Sequence, residues 1–458
     1  MKVAKSSARA RNSSIPELKF EDQDLTSYGG LVVFQKLFEY LHLPQLLRNI
    51  CQPLDRKTSR LYSHGTILHC LIVHLLLGCR RLREMDDYRD DPLVRHVLGL
   101  RHLPSVPTLS RMLGEFDSAT LAAQRELNRD LVLSRVMDEG LRRITLDFDG
   151  SVLSCGRHAE GTAVGFNKQK KGARSYYPLI CTIAQTGQAL DHRHRSGNVH
   201  DSNGAREFIR HCVEAVRGAL PGARIEVRMD SAFFSDAMIA TLEALGVQYT
   251  ISVPFERFTE LKKKIETRRL WWPTPGYLTS RAHFEESWKP KSWKSKARFV
   301  FIRARVRKQR RGVLQLDLFE PIDEQFEYKV IITNKEEKAG AVARYHEGRG
   351  YQEKIFGEIK SQAQMDYIPA RRRAANEVYF QCSLMAHNLG RELQMRVLPP
   401  VRGTTAGRTV KWVFEELSTL RRNLIQRAGR LTRPQGRLTL TLGINQACEA
   451  RIRCFMGA

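Results

Sequence analysis

The sequence predicts an α/β protein in which a mixed sheet with flanking helices follows a helical N-terminal domain and is interrupted by a mainly β insertion. Three observations carry that expectation. Period-two alternation of apolar and polar residues, the mark of a strand, recurs at Arg142–Ser151 and Arg224–Ser231. After a polar arm of about 25 residues, apolar residues at helical spacing or in buried-helix runs recur at Leu31–Leu47 and Thr66–Cys79 and in several stretches between the strands. A basic, Trp-rich stretch with its own alternation, from Pro254 to about Glu327, breaks the pattern before it resumes at Tyr328.

The first strand reads RRITLDFDGS. Ile144, Leu146 and Phe148 alternate with Thr145, Asp147 and Asp149, so one face is expected in the core and the other carries two carboxylates. Gly150 ends the ladder and leaves Asp149 at a strand end. Alone, this describes an exposed edge strand with two surface acids, because exposed Asp is common. The run RIEVRMDS repeats the device: Ile225, Val227 and Met229 alternate with Glu226, Arg228 and Asp230, and Asp230 closes it. A third stretch, YHEGRGYQEKIFGEIK at Tyr345–Lys360, reads as a helix start. At about 100° per residue, Arg349, Glu353, Phe356 and Lys360 fall within about 60° of one another, whereas Glu358 lies about 140° from Glu353. Glu353 is therefore expected to face the sheet, with Phe356 as an apolar anchor, and Glu358 to point away. Two strand-end Asp and one helix Glu make a cluster suited to two divalent cations.

In this order and spacing the chain resembles the DDE transposases of bacterial insertion sequences. The resemblance rests on Asp149-Gly150-Ser151 after a strand, Arg228-x-Asp230-Ser231-x-Phe233 after a later one, and Arg349, Glu353 and Lys360 on the helix. The Tyr176–Leu179 run, Gly197-Asn198, Val330–Asn334, Ala375-Asn376 and His387-Asn388-Leu389 extend it to about Leu141–Arg391. No single motif is specific; their order is. One departure is local: where the family has a Tyr three residues before its Arg, this chain has His346, with Tyr345 one residue earlier.

The resemblance implies a ribonuclease-H-like core, and the strands and helices read between 142 and 253 supply such a sheet. It implies Asp149, Asp230 and Glu353 as catalytic, metal-ligating residues, with Asp149 preferred over Asp147 for its strand-end place before Gly-Ser. It implies two Mg²⁺ ions, for which Mn²⁺ would substitute, and Arg349 and Lys360 on DNA phosphates. The implied chemistry is hydrolysis and strand transfer at one site. The implied partners are transposon-end and target DNA, with a homodimer assembled on DNA. A structure-selective endonuclease, or a catalytically dead DNA-binding derivative, would share much of this pattern.

Charge agrees with a nucleic-acid partner. Lys plus Arg number 75 against 49 Asp plus Glu, a net +26 spread along the chain. The nine Cys are scattered with no Cys-x-x-Cys pair, which predicts reduced thiols rather than a disulfide frame or zinc ribbon. Thr66–Cys79 is the most apolar run, but it is too short to span a bilayer and reads as a buried helix, with His69 and His74 as core or boundary residues. No apolar stretch follows the basic N-terminus. A cytoplasmic, nucleoid-associated bacterial protein with no membrane partner is expected.

The expected divisions are 1–140, a helical DNA-binding domain; 141–253, the first part of the core; 254–327, a β-rich insertion; 328–395, the second part, with the Glu353 helix; and 396–458, a basic helix and strand. Within the first, Leu31–Leu47 is expected to be helical until Pro44. Ser105–Phe116 reads as a turn into a helix capped by Ser105 or Thr108, either a recognition helix or an ordinary one. Gly161–Arg174, with Lys170 and Lys171, is a phosphate-touching or surface loop. His192 and His194 are expected at the surface or on DNA.

The insertion holds Trp271, Trp272, Trp288 and Trp293, and strands at Arg298–Val306 and Val313–Leu318. At least one of the adjacent Trp271 and Trp272 is expected to stack on an unpaired base, and at least two of the four to form a small aromatic core. Arg371 and Arg372, beside Arg373, are candidate phosphate contacts before a helix at Asn376–Leu393. A helix at about Thr409–Arg427 and a strand at Arg437–Leu442 complete the reading.

Overall fold

The computed structural model describes residues 15–457 except 22, 57–60, 157, 166, 168–169, 201–202, 275–279, 294–295, 307–325 and 401–410. Helices α1 (Val32–Tyr40), α2 (Leu43–Asp55), α3 (His64–Leu77), α4 (Pro92–Leu98), α5 (Val106–Leu113) and α6 (Ser118–Asp138) precede the sheet. Pro44 opens α2 instead of ending a helix: it sits in the first turn, where its missing N–H costs nothing. Ser63 caps α3 by accepting from Thr66 N at 3.1 Å, and α3 is buried on every side. His69 packs edge-on against Phe38, and His74 Nδ1 lies 2.7 Å from the Tyr88 hydroxyl. Ser105 is the cap of α5. Among the described residues no single helix is long and apolar enough to cross a membrane.

Nine strands form one mixed sheet. In chain order they are β1 (Arg143–Gly150), β2 (Leu179–Ile183), β3 (Gln188–Arg193), β4 (Arg224–Met229), β5 (Gln248–Val253), β6 (Trp272–Pro273), β7 (Arg281–Trp288), β8 (Ala297–Arg305) and β9 (Phe326–Thr333); across the sheet they run 6-7-8-9-5-4-1-2-3. β1, β4 and β5 are parallel, linked through α7 (Ala205–Ala219) and α8 (Asp236–Ala244), and β2 is antiparallel to β1. This half has the strand order and directions expected of a ribonuclease-H-like sheet. Gly246 (φ +62°) lets the chain turn from α8 into β5.

Three expectations are corrected here. β1 is not half-exposed: five consecutive residues, Ile144–Phe148, are buried, because β1 sits mid-sheet with both faces covered. The insertion does not build a separate sheet among the described residues. β7 and β8 extend the core sheet through β9, which pairs with β5, so a boundary at 327 falls inside a strand. Val313–Leu318 lies outside the described residues. Tyr345–Lys360 is not one helix but two, α10 (Ala339–Glu347) and α11 (Gly350–Gln362), after α9 (Thr259–Thr267). The break falls at Gly348, where a Cβ would come within 2.3 Å of Arg228 Nη1.

α12 (Arg373–Val397) is the long central helix. One core cluster joins it to α1–α5, to α11 and to the tail residues Leu417, Leu424, Ile452 and Phe455. The stretches 1–140 and 396–458 therefore share a core. Of the expected tail helix, the part up to 410 lies outside the described residues, and helical structure begins only at Leu417. The late strand is present at Thr439–Leu442, paired with Gly429–Thr432.

Candidate functional site

The site begins with the register of two parallel strands. Phe148 of β1 is the partner of Met229 of β4, so the next residues, Asp149 near the end of the β1 ladder and Asp230 just past β4, stand side by side. Asp149 accepts from Gly150 N at 2.8 Å and Asp230 from Ala232 N at 3.0 Å, which fixes both carboxylates by local turns. Burial, and then the charge of Asp230, pushes the Asp149 carboxyl up to about 7 against the pull of Arg349. Arg349 stands at the α10–α11 break and donates from Nη1 to Asp149 Oδ2 at 3.0 Å. Lys360 lies close by: burial lowers its amine, while the charges of Asp366 and Asp149 oppose the shift.

The two glutamates of α11 part company. Glu353 borders this group, its carboxylate 3.7 Å from Arg349 Nη2 and its side chain 69% exposed. Glu358 is buried on the opposite side, bonded by Arg391 and accepting from Leu417 N at 3.1 Å. Phe356 packs in the core that holds α12. Asp149, Asp230, Arg349 and Lys360 are thus brought together and Glu353 sits at their edge. Among the described residues no group of three His, Cys, Asp or Glu is gathered as a metal cage.

Beneath the carboxylates runs a layer of ion pairs that the sequence reading missed. Arg228 grips Asp147 with two bonds of 2.6 and 2.7 Å, and both side chains are 1% exposed. Glu226 holds Lys335 at 2.6 Å and Arg143 at 2.6 Å. The Tyr345 ring lies under Arg143, Arg228 and Lys335 at 5.3, 5.1 and 4.4 Å. His346 is buried between Thr250 and Ser252, at 2.9 and 2.8 Å. Neither Tyr345 nor His346 reaches the site surface. Gln352 donates to the Asp147 carbonyl at 2.8 Å and so pins α11 to β1. The signal was parity: Asp147 and Arg228 lie two residues before Asp149 and Asp230, so all four share one sheet face.

The remaining candidates scatter. Trp271 is buried against Phe284 and Tyr328, with Nε1 donating to Arg268 O at 3.1 Å; it is a core residue, not a base platform. Trp288 and Trp293 are buried too, whereas Trp272 is 56% exposed. Lys170 and Lys171 are exposed between the short strands Ala163–Val164 and Arg174–Tyr176. Arg371 and Arg372 are exposed before α12, and Arg372 donates to Gly114 O at 3.1 Å. His192 and His194 are not surface residues: α12 covers β3, both rings meet Phe380, and burial holds both well below the usual imidazole range.

The family described as transposase DDE domain group 1 matches residues 9–456. No curated protein matches the chain. Among solved structures it is similar to the piggyBac transposase synaptic complex with hairpin DNA, at 10% identity and a TM-score of 0.42 over 87% of this chain and 80% of that one. It is also similar to the Mos1 transposase paired-end complex with left transposon end, at 12% identity and a TM-score of 0.19 over 39% of this chain and 57% of that one. The Mos1 mariner paired end complex with Mn gives 13% identity and a TM-score of 0.18 over 42% and 59%.

Proposed function

The chain belongs to the transposase DDE domain family, group 1, and we propose that it binds the ends of its insertion sequence, cleaves them by metal-dependent hydrolysis and joins the 3′ ends to target DNA. The observation that carries this reading is the Asp149–Asp230 pair, two carboxylates on adjacent parallel strand ends beside two cationic side chains. The pair fits a divalent cation. Burial and mutual repulsion have already raised the Asp149 carboxyl to about 7, a cost that a bound cation removes. Asp149 and Asp230 would hold the metal, with Glu353 completing the set from α11. Two Mg²⁺ ions, or Mn²⁺ in their place, supply charge neutralisation and Lewis acidity at a phosphodiester.

The chain's own residues do the rest. Arg349 and Lys360 hold the DNA backbone beside the carboxylates. The exposed ring of Trp272 stacks on an unpaired base, and Lys170, Lys171, Arg371 and Arg372 meet phosphates further out. Two copies assemble on DNA, at the bacterial nucleoid where the substrate lies. The test uses the DNA flanking the coding region: nicking at its ends in Mg²⁺, then joining of a pre-cleaved end to a second duplex. Cleavage without joining would make the protein an endonuclease. Binding without cleavage would make it a dead derivative.

A further inference from the structure

Lys329 lies on β9, on the sheet face that α10 covers. Alternation places it with Ile331, which packs against Ala339, Val342 and Ala343 of α10, and its cross-strand partner is Ile302 of the same cluster. Ser252, the register partner of Ile331, bonds His346 of α10, so this face looks toward the α10–α11 break where Arg349 stands. A fully buried lysine is kept with an anion. Lys335, just beyond the same strand, is buried on Glu226 at 2.6 Å.

Lys329 is only partly exposed, yet its ammonium makes no ion pair among the described residues. Burial, and then the nearby guanidiniums of Arg349 and Arg281, lower the amine to about 8. Arg281 is already paired with Glu347. The opposing charge is Glu353, whose carboxylate faces solvent and borders the site. Arg349 is engaged by Asp149 and Arg281 by Glu347, which leaves the partly buried Lys329 ammonium facing only the solvent-exposed Glu353, an arrangement that an added anion relieves.

We propose that Lys329 is a further substrate-contacting residue of this site, seating with Arg349 a phosphate of the DNA strand adjacent to the one cut at Asp149 and Asp230. The inference rests on the reading of the site as one that cleaves DNA. It names β9, across the sheet from the carboxylates and entered through the insertion, as a second wall of the DNA channel.

The test is equilibrium binding of the full chain to a linear duplex made from the flanking DNA, in EDTA and over a range of salt. Wild type, Lys329→Gln and Lys329→Arg are compared, with thermal melting of each. Loss of one phosphate contact lowers the slope of log K against log salt by about 0.9 in Lys329→Gln, and Lys329→Arg restores it. An unchanged slope in Lys329→Gln overturns the proposal, as does a lower melting temperature in both variants without a change of slope. Wild type that binds no duplex removes the cleavage reading itself, and this inference with it; wild type that binds while Lys329→Gln keeps its slope removes this inference alone.

Discussion

Arg349 holds the Asp149 carboxylate at 3.0 Å while its other terminal nitrogen lies 3.7 Å from Glu353. One guanidinium therefore stands between a strand-end acid and the glutamate of the neighbouring helix. Asp149 is fixed by the Gly150 N–H and Glu353 is exposed, so a metal seated on Asp149 has to draw Glu353 away from that cation: Glu353 is expected to change its rotamer when metal binds, and Asp149 is not. A divalent-metal titration followed by NMR of the two carboxyl carbons checks this.

Asp149→Asn, Asp230→Asn and Glu353→Gln are each expected to abolish metal-dependent cleavage and leave end binding largely intact. The loss should exceed the about 10–100-fold that removal of an outer-shell partner costs a metal site. Retained cleavage in any one of them takes that residue out of the set.

Glu358 separates stability from chemistry. Its carboxylate is buried on Arg391 and Leu417 N. Glu358→Ala should cost about 3–5 kcal/mol of stability, because it strands a buried guanidinium. Cleavage per folded molecule should be unchanged. Denaturant unfolding alongside single-turnover cleavage measures both, and a stable but inactive Glu358→Ala protein would return Glu358 to the site.

The pH dependence of the metal-free protein follows from Asp149. Its carboxyl ionises at about 4 in the unfolded chain and at about 7 in the folded one. Between those values the folded state binds the extra proton, so this group's contribution to stability falls as pH rises and the penalty is complete above about 7. Asp149→Asn lacks the ionisation. Its melting temperature in EDTA should therefore approach that of wild type near pH 4 and exceed it near pH 8, by an amount worth roughly 2–4 kcal/mol. A gap that does not widen with pH refutes the assignment.

The adjacent tryptophans should behave oppositely. Trp271→Ala removes a packed ring and should destabilise the chain by about 3–5 kcal/mol. Trp272→Ala should leave the melting temperature alone and slow a step after first-strand nicking, since a base stack is worth about 1–3 kcal/mol. Equal effects of the two on folding would place both rings in the core.

The strand-end acids were legible because two short runs each ended an alternation on Asp, and adjacent parallel strands then need no further information to set them side by side. The polar faces of those runs were misread for a physical reason. A row of charges alternating with apolar residues looks the same whether it faces water or an opposite row. Asp147 with Arg228, and Glu226 with Arg143 and Lys335, fill a buried layer that only the three-dimensional pairing exposes. His192 and His194 were misplaced in the same way, since nothing local to β3 says that α12 will cover it. The insertion hid its attachment because strand alternation states that a ladder exists, not which ladder it joins. Lys329 left no mark in sequence at all; its significance lies in the cations around it.

The core cluster that surrounds α12 takes Leu31 and Phe34 from one end of the chain and Leu424, Ile452 and Phe455 from the other. During synthesis at about 5–20 residues per second, the first helices emerge roughly 20–80 s before their last packing partners. Until then the part of the core that the tail covers stays open to solvent. A ribosome that stops early releases a polypeptide with this core open, so premature termination silences the protein through folding even when Asp149, Asp230 and Glu353 have all been made.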